Sequence, residues 1–254
     1  MEIAPIEVLA LLATGIVGGI VSVVVSMASL VTYPVLLAMG LPPVTANVTN
    51  TVALVFNGVG FVIGSRPELV GQRPILQRMA VIAAAGGATG AGLLLLLPHD
   101  WFELVAPFLI AGAAALLLLQ PRLRERRWFH PRGLTPGTVT AYFLTATYLG
   151  YFGAAGGIIA IVVLGTVIDR PLSHLNAGKG VLTLIANGVA AIGFVLFGPV
   201  RWSFMIPLAV GVFIGGLVGP WFVRRIPAGA LRLLIGTSGL AVAVVLARNA
   251  YFAG

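Results

Sequence analysis

The 254-residue chain has no cysteine, one lysine and only seven acidic side chains. The missing cysteine excludes disulfides, thiolate metal sites and any reaction that carries sulfur on a protein thiol. The acids are Glu2, Glu7, Glu68, Asp100, Glu103, Glu125 and Asp169, and each falls at an end or in a loop when the chain is divided by its apolar runs. No buried carboxylate is then available to ligate sodium or relay a proton, which disfavours cation transport. The three histidines, His99, His130 and His174, also fall near loops. Phosphate-binding loops, metal-ligand pairs and nucleophile–base pairs are missing, so neither ATP hydrolysis nor another enzymatic activity is expected, and neither is a cofactor or metal.

What the chain has is apolar sequence. Hydrophobic residues make up 59% of it and charged residues 9%, with a mean hydropathy of +1.07. A soluble domain carries about one quarter charged residues. The long runs recur from end to end and do not alternate, so an all-α polytopic membrane protein is expected, not a β-barrel. The net charge of +8 arises from arginines placed between apolar runs. Their placement sets topology and does not bind nucleic acid. The first fifteen residues have no positive leader, and the apolar run continues into further spans, which argues against a cleaved signal peptide.

Breakers divide the chain into eight segments: 5–39, 44–64, 74–97, 101–119, 136–168, 173–197, 202–223 and 228–247. A basic linker, 120–135, separates residues 1–119 from 136–254, and the two sides resemble copies within one transmembrane domain. "NGVG" at 57–60 answers "NGVA" at 187–190, an offset of 130. "AGGATG" (85–90) answers "GGLVGP" (215–220) at the same offset, and such small-residue runs suit close helix packing in lipid. A repeated four-segment unit is a transporter-like pattern.

The first segment of each copy is too long for one straight crossing. As one helix, 136–168 would extend about 50 Å against a hydrocarbon core of about 30 Å. The glycines of "FGAAGGI" mark a break near 153–157, and "SMAS" at 26–29 is its counterpart. Two re-entrant hairpins would give three crossings per copy and invert the second copy, leaving the linker, Arg66, Arg73, Arg170, Arg224 and Arg225 cytoplasmic. Full spans would put Arg170, Arg224 and Arg225 outside, against the positive-inside rule. The first limb of copy one is long enough that a full span stays open there.

The one lysine, Lys179, lies in "LNAGKGVLTLIANG". Asn176, Thr183 and Asn187 fall roughly on its helix face. A charge at mid-membrane costs about 2.5–3.5 kcal/mol on insertion scales and usually faces an interior cavity. Snorkelling from a helix end is the competing reading. In copy one, Thr49 stands opposite Lys179 at the 130 offset, within a polar cluster of Asn47, Thr49, Asn50 and Asn57. Those amides and hydroxyls can donate to an oxyanion; helix capping and interhelical bonding are the plainer roles. Half-helices at the breaks, with Ser26 and Ser29 in copy one and Gly156 and Gly157 in copy two, would add free N–H groups and positive dipole ends. His174 and Asp169 flank the entrance to the Lys179 helix and are candidates for a gate or proton site.

The stretches "SMASLVTYPVLLAMGLPPVTANVTN" and "GYFGAAGGIIAIVVLGTVIDRPLSHLNAGKG" resemble the TauE/SafE sulfite exporter family of membrane permeases. The resemblance implies about eight hydrophobic segments in the bacterial plasma membrane and export of sulfite, thiosulfate, organosulfonates or related acids. The family's first motif then falls on Ala46, Thr49 and Asn50, preceded by Pro34 and Gly40, and its second on Asn176, Ala177 and Lys179. "SMAS" departs from the glycines usual there. A secondary transporter working by alternating access around a mid-membrane site is expected, with lipid as its other partner and homo-oligomers left open. An anion channel and a non-transporting membrane scaffold are the alternatives.

The inverted topology makes a direct prediction in a chain free of native cysteine. V200C should be labelled only from outside and P227C only from the cytoplasmic face; external labelling at 227 would reject inversion.

Overall fold

The structure is a computed structural model describing residues 3–125, 133–223 and 228–252. Residues 126–132 of the linker and the Arg224–Arg225 pair lie outside the described residues. The described chain is helical: α1 Pro5–Val25, α2 Ser29–Ala38, α3 Pro43–Gly64, α4 Arg73–Leu96, α5 His99–Glu125, α6 Pro136–Tyr151, α7 Gly156–Val167, α8 Leu172–Phe197, α9 Trp202–Val223 and α10 Ala228–Phe252. A short 3-10 turn, Arg66–Leu69, links α3 to α4. Six stretches are long and apolar enough to cross a membrane, within α1, α3, α4, α5, α8 and α9. Large apolar side chains such as Leu96, Phe108, Phe197 and Val244 face outward, as lipid contact requires.

Both long first segments are broken. In copy one, α1 ends where Ser26 turns left-handed (φ 63°), and α2 begins three residues later. In copy two, α6 ends at Tyr151, Gly153 and Ala155 have positive φ (76° and 60°), and α7 begins at Gly156. Each pair of limbs packs together across its break, α1 on α2 and α6 on α7. The Tyr148 hydroxyl donates to the Ala154 carbonyl (2.6 Å). A ring cluster backs the same turn: Phe152 lies edge-on to Tyr33 (5.5 Å between centroids), and Phe102 packs against both Phe152 and Tyr151.

The helices pack in matched sets. α1 lies on α9 and α6 on α4; α3 lies on α9 and α8 on α4; α2 touches α10 and α7 touches α5. Two further pairings, α3 with α8 and α5 with α10, join like-placed helices. The first helix of each half therefore packs on the fourth helix of the other. Like helices start 129 residues apart at two places: Pro43 and Leu172 (α3 and α8), and Arg73 and Trp202 (α4 and α9). Contacts follow that register. Gly87 packs under the Ala186 carbonyl and Gly216 under the Asn57 carbonyl, so 87 answers 216 and 57 answers 186. The matching glycine runs are then Gly86-Gly87-Gly90 and Gly215-Gly216-Gly219, one residue from the alignment of the "NG" pairs.

Small residues set how closely these helices cross. A Cβ on Gly90 would come 2.1 Å from the Thr147 carbonyl oxygen, and one on Gly150 would come 2.4 Å from that of Gly87. A Cβ on Gly92, on the same helix, would meet nothing within 4 Å. Gly90→Ala should therefore destabilise the protein by roughly 1–3 kcal/mol through forced separation of α4 from α6. Gly92→Ala should be neutral or mildly stabilising. Melting in detergent checks both, and equal effects would remove the packing argument.

Candidate functional site

Lys179 lies in the second turn of α8, about 10 Å along its axis from Leu172 by helical rise. It is buried, with 7% of its surface exposed, and does not snorkel. Its Nζ donates to Ser26 Oγ (2.9 Å) and sits 5.3 Å from the centre of the Phe61 ring. Gly157, at the start of α7, backs the same side chain: a Cβ there would lie 3.4 Å from Lys179 Cδ and 3.2 Å from Ser26 Cβ. Both breaks thus converge on one ammonium. Among the described residues no carboxylate pairs with it. Three N–H donors meet one oxygen and one ring face.

Beside Lys179 is a cavity of about 80 Å³. A volume of 10–15 Å³ on this measure admits one water, so there is room for a group of several heavy atoms. Its polar lining comes from Ser22, Ser26, Ser29, Thr51, Asn57, Lys179, Thr183 and Asn187, drawn from α1, the first break, α2, α3 and α8. Phe61, Phe152, Leu54 and Leu184 close it on the apolar side. The backbone N–H groups of Ser29 and Gly157, in the first turns of α2 and α7, have no intramolecular acceptor among the described residues, as helix starts leave them. Dipoles and ammonium share one sign.

Six expected site residues therefore line one cavity: Lys179, Ser26, Ser29, Gly157, Asn57 and Asn187. Asn57 Nδ2 donates to Ser22 Oγ (2.6 Å), while Asn187 Oδ1 and Thr183 Oγ1 have no partner among the described residues. Asn50 stands just behind the wall. It donates to Ser29 Oγ (3.3 Å) and accepts from the Thr32 hydroxyl (2.6 Å). At the 129 register Asn50, not Thr49, is the counterpart of Lys179, and both reach the first break.

The other candidates lie elsewhere. Asn47 Nδ2 donates to the Tyr151 carbonyl (2.8 Å), tying α3 to the end of α6. Thr49 Oγ1 accepts the Arg201 backbone N–H (3.0 Å) at the entrance of α9. Its counterpart Gly178 packs against Gln72 at the entrance of α4, so these contacts are a structural pair. Gly156 packs against Leu149. Asn176 is half-buried and makes no hydrogen bond among the described residues; Asp169 is exposed in the α7–α8 connection. His174 is half-buried, its ring nitrogen 3.4 Å from the Ser173 hydroxyl and its carbonyl accepting from Gln72 Nε2. None of these six lines the cavity, and neither does Asn50. Sequence reasoning missed Ser22, Thr51 and Phe61. Ser22 is one turn before Ser26 and Phe61 one turn after Asn57, so face spacing could have found both.

Comparisons with known proteins give one family and several relatives named as membrane transporters. The family model described as sulfite exporter TauE/SafE matches residues 11–246. The chain is 27% identical over 234 residues to "Probable membrane transporter protein ORF9" of Sinorhizobium sp, covering 91% of this chain and 88% of that one. It is 24% identical over 221 residues to "Probable membrane transporter protein YfcA" of Escherichia coli (strain K12), covering 85% and 81%. A "Probable membrane transporter protein" of Haemophilus influenzae is 25% identical over 223 residues, covering 84% of each chain. No solved structure matches. With ten apolar-rich helices among the described residues, six of them long and apolar enough to span, and a match over nearly its whole length, the chain belongs to the TauE/SafE sulfite exporter family of membrane proteins.

Proposed function

We propose that this membrane transporter carries a small sulfur-containing anion, such as sulfite, thiosulfate or an organosulfonate, bound in the cavity beside Lys179. The observation that carries the reading is the ammonium itself: buried, without a carboxylate partner, and lining a cavity between two helix breaks. An unpaired buried cation is strongly unfavourable, and a bound anion supplies the missing charge. First-turn N–H groups of α2 and α7 and the serine hydroxyls supply hydrogen bonds in the same place. The word "sulfur" rests on the family; the word "anion" rests on the residues.

The same reading takes the two halves as inverted copies that alternate access to this site from the two faces of a bacterial inner membrane, with the central linker cytoplasmic and the substrate exported. The matched helix packing and the 129-residue register support the repeat. The arginine distribution supports the inversion. His174 and Asp169, near the entrance of α8, are left as gate candidates.

Purified protein in liposomes, given sulfite, thiosulfate, sulfate and taurine in turn, tests this reading. Saturable flux with counter-transport is expected. Flux without saturation would mean a channel, and no flux would mean a scaffold. Lys179→Ala and Lys179→Gln should each lower transport roughly tenfold or more, and Lys179→Arg should impair it because the pocket fits a compact ammonium. Wild-type flux in Lys179→Ala would remove the assignment. Gly157→Ala should raise the apparent KM several-fold by crowding Ser26 against Lys179, with melting in detergent separating that effect from the roughly 1–3 kcal/mol that overpacking costs. An unchanged KM would place the substrate elsewhere.

A further inference from the structure

We infer that the cavity takes a short-chain sulfonate with an uncharged hydroxyl at its far end, the sulfonate lying at Lys179 and the hydroxyl at Thr183 and Asn187. The inference deepens the anion-site reading above and rests on it. α3 and α8 run antiparallel beside the cavity: Gly180 receives the Phe61 ring, and one turn deeper Gly58 packs against Leu184. The ammonium stays at the Phe61 end, donating to Ser26 Oγ (2.9 Å) with the ring centre 5.3 Å away. Thr183 and Asn187 follow one and two turns farther along α8, roughly on the same face, and both line the cavity. The polar strip therefore continues for about 12 Å of helix beyond Lys179. A three-oxygen anion held at the ammonium engages only one end of it.

The far end is polar but uncharged. Thr183 Oγ1 and Asn187 Oδ1 are buried, and neither side chain has a hydrogen-bond partner among the described residues. Buried polar groups are nearly always paired. The hydroxyls of Thr89, Thr145 and Thr147 each return to the carbonyl four residues back in their own helices, and Thr183 does not. A substrate hydroxyl both donates and accepts, so it serves Thr183 and either orientation of the Asn187 amide. Among the described residues no carboxylate lines the cavity to pair with a substrate ammonium, and no second cation lines it to hold a second anionic group. Leu54, Val55 and Leu184 also line it and suit a short carbon chain between the two polar ends.

2-Hydroxyethanesulfonate and 1-propanesulfonate test the inference, because they share charge and length and differ only by O–H against CH₃ at the far end. Binding to the full chain in lipid nanodiscs, read by calorimetry, should favour the hydroxyl compound roughly tenfold, since a methyl group leaves the polar end unmatched. An apolar end wall would favour the propyl compound instead. Thr183→Val and Asn187→Leu keep approximate shape and remove the polar groups. Each should lower the ratio by roughly fivefold or more, whatever it does to either affinity alone. A merely structural role for these residues would leave the ratio unmoved, and a ratio that moves in neither variant overturns the inference. If one variant does not fold, the other decides alone. Equal or tighter binding of 1-propanesulfonate by the wild-type protein also overturns the inference, and binding of methanesulfonate then leaves the anion site standing. Binding of none of the three sulfonates overturns both.

Discussion

The hydrogen bond from Lys179 Nζ to Ser26 Oγ joins residues 153 apart in sequence, and most of the site's chemistry follows from it. It brings a helix of the second half against the broken segment of the first, with Gly157 of the second break behind it. Removing an ammonium from water costs several kcal/mol even after relaxation. One serine oxygen and the face of Phe61 replace only part of a hydration shell. Sodium or proton sites in membranes gather carboxylates for the opposite reason, and none lies here.

The breaks are tolerable only because they are inside. Backbone groups without partners cannot face lipid, and the short helices α2 and α7 start amid protein. Tyr33, Phe102 and Phe152 pack around the second break, while small residues let α1 cross α9 and α6 cross α4 at close range. The first turns of α2 and α7 keep N–H groups without an acceptor among the described residues, and protein covers them. Those turns adjoin the cavity and its ammonium.

Much of this was legible in the chain. Apolar length, glycine and serine breakers and a solitary lysine are local signals, and they located the helices, the breaks and Lys179. Register was harder. The "NG" pairs at 57 and 187 suggested an offset of 130, whereas the packed glycines and the starts of α3 and α8 and of α4 and α9 pair at 129. One residue on a helix is a rotation of about 100°, enough to move the counterpart of Lys179 from Thr49 to Asn50. The roles of Asn47 and Thr49 also depended on partners more than a hundred residues away, Tyr151 and Arg201, which no local pattern discloses. Phe61 reads as one more apolar residue until Gly180 lets its ring approach: a Cβ at 180 would come 2.3 Å from Phe61 Cε1.

Two halves whose helices pack in matched sets build one asymmetric site, and electrostatics gives the reason. Had both halves carried a lysine at matched positions, two ammoniums would repel each other in a low dielectric, on top of the cost of burying each. One half instead supplies the charge at Lys179, and the other supplies hydroxyls at Ser26 and Ser29 with an amide at Asn50 behind them. Glycine occupies the second break where serine occupies the first, so the bulk of the polar wall comes from one side and the space for a guest from the other. The charge of one half is thus held by an acceptor of the other. An anion in the cavity would compete for that same ammonium, so the bond between the halves and the proposed site share one donor.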